Sequence, residues 1–200
     1  MNKKRIRQTG DVRRAQIKQA VKEILFYEGM HKLTTKNIAA RVGISEGTVF
    51  KHYASKRAII DDILSDVKTE LVQPLQQIAL RKTGADRRLE KHICYHLEYL
   101  AQNEGITILL FTEASYQNDL ELKQQLDEIF QQLKQGFIRI VEDGIAAGLW
   151  NKQVSVRDLA SLYMGIPLAM NIEMLLQEET LKEYNYCKNM LDLLLRVLSK

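Results

Sequence analysis

The chain of 200 residues is 46% hydrophobic and 27% charged, which excludes a disordered polypeptide and allows one ordinary core or a small head beside a larger body. Its net charge of +4 conceals an asymmetry: residues 1–60 hold 14 Lys and Arg against 4 Asp and Glu, and residues 61–200 hold 15 against 21. The longest uncharged run, Leu159 to Ile172, falls short of the roughly 20 apolar residues that span a bilayer, so no membrane partner is expected.

Only two prolines and a succession of helix-period segments, with no convincing alternating strand, predict an all-α protein. The basic arm of residues 1–10, with Lys3, Lys4, Arg5 and Arg7, is followed by no apolar run of the signal-peptide kind. Cys94 and Cys187 lack Cys-x-x-Cys spacing and read as unpaired thiols of a reducing cytoplasm. A first helix is predicted from about Asp11–Arg13 to Gly29, with Ile17, Ala20, Val21, Ile24 and Leu25 on its apolar face.

The segment from Thr34 to Lys56 is the most informative part of the chain. Thr35 is read as the cap of a short helix with Ile38, Ala39 and Val42 on its apolar stripe. Gly43 permits the positive φ that ends this helix, and Ser45 can cap the next. That second helix is apolar at Val49 and Phe50 and polar at Glu46, Thr48, Lys51 and His52. One side is anchored and the other is left free, as in a helix-turn-helix that reads DNA. The surplus of positive charge falls on the same part of the chain, where counterion release favours a polyanion.

These residues, with Gly47, Tyr53 and Ser55-Lys56 at matching spacing, resemble the TetR family of bacterial transcriptional regulators over about residues 11–64. The resemblance implies an all-helical homodimer that binds double-stranded DNA at a pseudo-palindromic operator, with a variable effector and dimerisation body. The expected organisation is a basic arm at 1–10, a three-helix helix-turn-helix head at 11–57, and a helical ligand-binding and dimerisation domain at 58–200.

Chemistry nominates Thr35, Lys36, Ser45, Glu46, Gly47, Thr48, Lys51, His52, Tyr53 and Lys56 as DNA contacts. Lys36 and Lys56 stand in the first turns of helices, where the macrodipole disfavours a cation unless an external anion such as a phosphate is present. Glu46 can accept from a cytosine amino group or simply favour its helix N-terminus. Tyr53 can donate to phosphate or pack its ring in the core. The family usually has Tyr where this chain has Phe50, so Phe50 is expected to be only an anchor.

Further along, a long helix is predicted from Ser55 to about Pro74 or Leu80, and Asp86 is read as the cap of the next. An amphipathic helix runs from Asp119 to Gly148, Ser155 with Asp158 opens another, and Leu181–Leu198 forms the last. The segment after Ser155 is apolar nearly all round. With Tyr184, Leu191, Leu194, Leu195 and Leu198 it can build a homodimer interface or an ordinary intrachain core. His92, Tyr95, His96, Tyr99, Phe111, Thr112, Tyr116, Phe137, Met164 and Met174 are candidate liners of a pocket for a small apolar effector, although such residues also build cores. His92 and His96 lie one turn apart without a third ligand, so no metal is assigned, and no cofactor.

No nucleotide loop, nucleophile elbow or paired-carboxylate motif suggests an enzyme. The expected function is that of a cytoplasmic, sequence-specific repressor released from its operator by an effector. The alternative is a constitutively DNA-bound adaptor that recruits a protein partner.

Overall fold

The computed structural model describes residues 10–103, 105–116, 119–176 and 185–199, with the side chains at 112, 113, 115, 116 and 175 left out. All regular structure among them is helical. The chain divides into two compact units, Met1–Ser65 and Asp66–Lys200.

The first unit contains α1 (Gly10–Glu28), a 3₁₀ turn (Met30–Lys32), α2 (Thr35–Val42), α3 (Glu46–His52) and most of α4 (Lys56–Val67). α1 buries Ile17, Ala20, Val21, Ile24 and Leu25, the stripe expected from the sequence. Ile38 and Val49 from the two short helices are fully buried, as are Ile59 and Ile63 of α4. Short helices are not stable alone, so this shared core is what holds α2 and α3.

In the second unit, α4 passes through a π turn (Lys68–Val72) into α5 (Gln73–Ala79), so the long helix ending near Leu80 is present with a defect within it. α6 (Ala85–Gln102), α7 (Ile106–Tyr116), α8 (Leu120–Ala146), α9 (Val156–Leu176) and α10 (Tyr186–Leu198) follow. α6 is the central element and packs against α5, α8, α9 and α10. Arg88 of α6 donates to the Ala79 carbonyl and to Asp143, both at 2.7 Å. It thereby places a cation at the C-terminus of α5, where the macrodipole favours one.

Two local expectations are corrected. The cap of α6 is Gly84 without a side-chain bond, and Asp86 stands inside the first turn. Asp119, by contrast, does cap α8, accepting from the Leu122 N–H at 2.9 Å. Cys94 and Cys187 are not free thiols: they form a disulfide with Cα atoms 5.0 Å apart, tying α10 to α6. Helix packing had brought together two cysteines 93 residues apart, which spacing alone does not reveal. α9 buries Leu159, Ala160, Tyr163 and Met170 and keeps one apolar face outward. Leu162, Leu168, Ile172 and Leu176 are exposed, and with Gly165 and Ala169 they fall on one side of the helix. No helix among the described residues is long and apolar enough to cross a membrane.

Candidate nucleic-acid interface and ligand cavity

The cap of α2 is Thr34, whose hydroxyl accepts from the Asn37 N–H at 3.1 Å. Thr35, expected in that role, is one residue inside the helix and donates its hydroxyl to the Glu46 carboxylate. That bond joins the N-terminal turns of α2 and α3. Gly43 ends α2 at φ 71°, a left-handed conformation that costs a residue with Cβ. Ser45 caps α3, accepting from the Thr48 N–H at 3.2 Å, and its hydroxyl shares a 2.8 Å bond with that of Thr48.

Val49 fixes α3 from beneath, so the other side of the helix faces outward. Ser45, Glu46, Gly47, Phe50 and Lys51 are exposed, while Thr48 and His52 are half-buried. A Cβ at Gly47 would meet nothing within 4 Å. No packing within the chain therefore requires glycine there, and its effect is to keep the outer surface low. Phe50 is 52% exposed, which corrects the expectation that it is an anchor. Lys36 and Lys51 are exposed and Lys56 is half-buried, all without an ion-pair partner among the described residues. Ser55 caps α4 by accepting from the Ala58 N–H at 3.1 Å, so Lys56 stands in an unneutralised first turn.

Tyr53 is placed differently from the rest. It is buried, its hydroxyl donates to Asp62 at 2.6 Å, and Arg14 lies over its ring at 5.0 Å. Lys18 reaches the same carboxylate at 3.4 Å. Burial pushes the Asp62 carboxyl up, but Tyr53, Lys18 and Arg14 together hold it below its ordinary value. With its hydroxyl so engaged, Tyr53 fastens the end of α3 onto α4. Arg41 likewise bonds Glu23 and Glu28, fastening α2 to α1. Basic residues in this unit thus divide into those spent on internal ties and those left outward.

The second unit contains a cavity of about 180 Å³ that opens to the surface beside the exposed Phe111, Phe130 and Leu168. It is lined by His96 and Leu100 of α6, Thr107, Ile108 and Phe111 of α7, Leu126, Ile129, Phe130 and Leu133 of α8, and Met164, Pro167 and Leu168 of α9. His96, Phe111 and Met164 of the predicted liners are therefore brought together. The others are not. Phe137 is fully buried and stacks on Tyr163 at 4.2 Å between ring centroids. His92 completes that aromatic cluster, 5.8 Å from the Tyr163 ring. Tyr95 donates its hydroxyl to the Glu70 carbonyl, Tyr99 is buried, and Met174 is half-buried away from the lining. The side chains of Thr112 and Tyr116, like Tyr184 and residues 1–9, lie outside the described residues.

Burial pushes the His96 pKa down to about 3 and that of His92 to about 4, the Leu75 backbone opposing the latter. Both rings are neutral at physiological pH. His96 Nδ1 lies 2.7 Å from the Tyr163 hydroxyl, whose pKa burial raises. Tyr163 was missed by the sequence reading because one aromatic in an apolar helix carries no distinguishing signal. The α8 liners Leu126, Ile129, Phe130 and Leu133 recur at helical spacing, which marks an apolar face but does not tell a cavity wall from core. Among the described residues no group of three His, Cys, Asp or Glu is placed to hold a metal.

Comparison with known proteins bears on both units. Residues 19–63 match the model for bacterial regulatory proteins of the tetR family, and residues 64–196 match that of the YsiA-like protein C-terminal region. The nucleoid occlusion factor SlmA of Pasteurella multocida is 27% identical over 131 residues, covering 65% of this chain and 66% of its own. The fatty acid metabolism regulator protein of Bacillus subtilis is 24% identical over 154 residues, covering 75% and 77%. Among solved structures, the regulator FadR from Bacillus subtilis in complex with stearoyl-CoA superposes with a TM-score of 0.70 at 21% identity, covering 92% of this chain and 97% of that one. A ketosteroid transcriptional regulator of Mycobacterium tuberculosis gives 0.76 at 15% identity, covering 98% and 97%. These two likenesses are of fold.

Proposed function

Since the chain belongs to the tetR family of bacterial regulatory proteins, we propose that it is a cytoplasmic, non-enzymatic repressor that reads a pseudo-palindromic operator as a homodimer and leaves it when a small, largely apolar effector fills the second unit. The observation that carries this reading is the outer face of α3, anchored by Val49 and bearing exposed residues around an open Gly47. Ser45, Glu46, Thr48, Phe50 and Lys51 would reach bases or sugars, and Lys36, His52 and Lys56 phosphates. Thr35 and Tyr53 would act by positioning α3 through Glu46 and Asp62.

A single helix-turn-helix head covers few base pairs, so useful specificity asks for two. The exposed stripe Leu162, Leu168, Ile172 and Leu176 of α9, and Leu193 and Val197 of α10, would meet a second copy, whereas Leu194 and Leu198, named for that role from the sequence, are buried within the chain. Apolar lining supports an effector with an apolar group. A cavity of about 150 Å³ holds a benzene ring, so 180 Å³ suits a short acyl or aryl group.

Native mass spectrometry of the protein purified gently from its own cytoplasm tests the effector and the dimer together. A dimer with a stoichiometric small mass, lost from DNA when that compound is added, is the expected result. The adaptor alternative draws on the likeness to a nucleoid occlusion factor. It would be favoured by an empty dimer whose DNA affinity no extract of the host lowers.

A further inference from the structure

We propose that the cavity selects ligands with an apolar body and one neutral hydrogen-bond acceptor, a ketone, ester or thioester carbonyl, which the Nε2–H of His96 meets. This rests on the effector reading above and narrows the chemical class of that effector.

Tyr163 determines which nitrogen of His96 carries the proton. Its side chain is fully buried, and its hydroxyl has one hydrogen-bond partner among the described residues, Nδ1 of His96 at 2.7 Å. A buried O–H left without an acceptor is unfavourable, so the hydroxyl donates to Nδ1. The surroundings keep the ring neutral, and a neutral imidazole carries a single N–H. If Nδ1 accepts, the proton is on Nε2. Tyr163 therefore sets the tautomer, and what His96 retains for a ligand is a donor.

The rest of the lining gives the selectivity. Apart from Thr107 and His96 itself the described lining is apolar, including Leu100, Ile108 and Phe111, and no Lys or Arg lies among the described residues that line it. A carboxylate would be buried there without a counter-charge. A pure hydrocarbon would fit but would leave the Nε2–H unanswered. A neutral carbonyl on a ring or chain of roughly six to eight carbons satisfies size and donor together.

Calorimetric titration of the full chain with acetophenone, ethylbenzene, phenol and benzoate tests this. The first two are near-isosteric and differ by the carbonyl, phenol offers a donor, and benzoate adds a charge. The readout is the ratio of acetophenone to ethylbenzene affinity, which cancels most of their common apolar contribution. His96→Phe is expected to lower that ratio about fivefold to tenfold. Tyr163→Phe removes one oxygen, releases the tautomer, and is expected to lower the ratio as well while strengthening phenol. Benzoate should bind at least tenfold more weakly than acetophenone. An unchanged ratio in either variant, or benzoate binding as tightly as acetophenone, overturns the inference and leaves the cavity standing as an apolar site. Failure of all four probes to bind would overturn the effector cavity itself, and the inference with it.

Discussion

Tyr95 of α6 donates its hydroxyl to the backbone carbonyl of Glu70 at 2.6 Å, and the residue four beyond Glu70 is Pro74. In an α-helix that carbonyl would receive the N–H of residue 74, which proline lacks. The ring of Pro74 also crowds the same carbonyl, and the helix answers with the π turn at Lys68–Val72. Tyr95 supplies a donor from a neighbouring helix. It is a repair of the helix rather than a ligand contact.

Tyr95→Phe should therefore cost about 1 kcal/mol of stability and leave effector binding unchanged. The pairing with Pro74 is checked by a double-mutant cycle. With Pro74→Ala, which restores an N–H, thermal melts should show Tyr95→Phe costing measurably less.

Asp62 gives a pH-dependent prediction. Its folded pKa lies below the ordinary value of 3.8, so the stabilisation is present above about pH 4 and is lost as pH falls through the folded value. Tyr53→Phe removes one of the bonds holding the carboxylate and should cost about 1.5 kcal/mol near pH 7. Denaturant titrations should find the gap between wild type and variant closing below pH 4. DNA affinity should fall too, because α3 loses its fastening to α4.

Lys56→Ala should weaken binding to all DNA sequences and reduce the log–log salt slope by about one unit. Lys51→Ala and Phe50→Ala should instead change which bases are preferred. Fluorescence anisotropy across a salt series, on selected and random duplexes, separates the two kinds of contact. A Lys56 variant with an unaltered slope would remove it from the phosphate set.

Reduction of the Cys94–Cys187 disulfide should lower stability, since it closes a loop of 93 residues between α6 and α10. The chain-entropy estimate for a loop this long is about 4–5 kcal/mol. Melting curves with and without a phosphine reductant measure it, with Cys94→Ser as the reference. In a reducing compartment the same pair would stand as thiols, and the reduced melting temperature is then the relevant one.

The head was legible because its signals are local. The α1 stripe, the Gly43 turn and the Ser45 cap each follow from residues a few positions apart, and all three are present. Errors arose where two adjacent residues could play one part, as with Thr34 and Thr35, or where a resemblance assigned an inward role to Phe50. In the body, helices were recognisable by period, but partners across helices were not. His96 is among the predicted liners, while nothing local distinguishes Tyr163, Leu126 or Ile129 from ordinary core residues. Tyr95 was misread because the residue it serves, Pro74, lies far back along the chain. Cys94 and Cys187 failed for the same reason.

The central claim is that two copies of this chain read DNA sequence together. Selection from random duplex DNA with the purified protein tests it most directly. The expected result is a pseudo-palindromic consensus whose half-sites lie about one helical turn, or 34 Å, apart or a multiple of it, with Ile172→Glu abolishing recovery of the paired site. Bound DNA with no consensus, or a lone half-site recovered from wild-type protein, would contradict it.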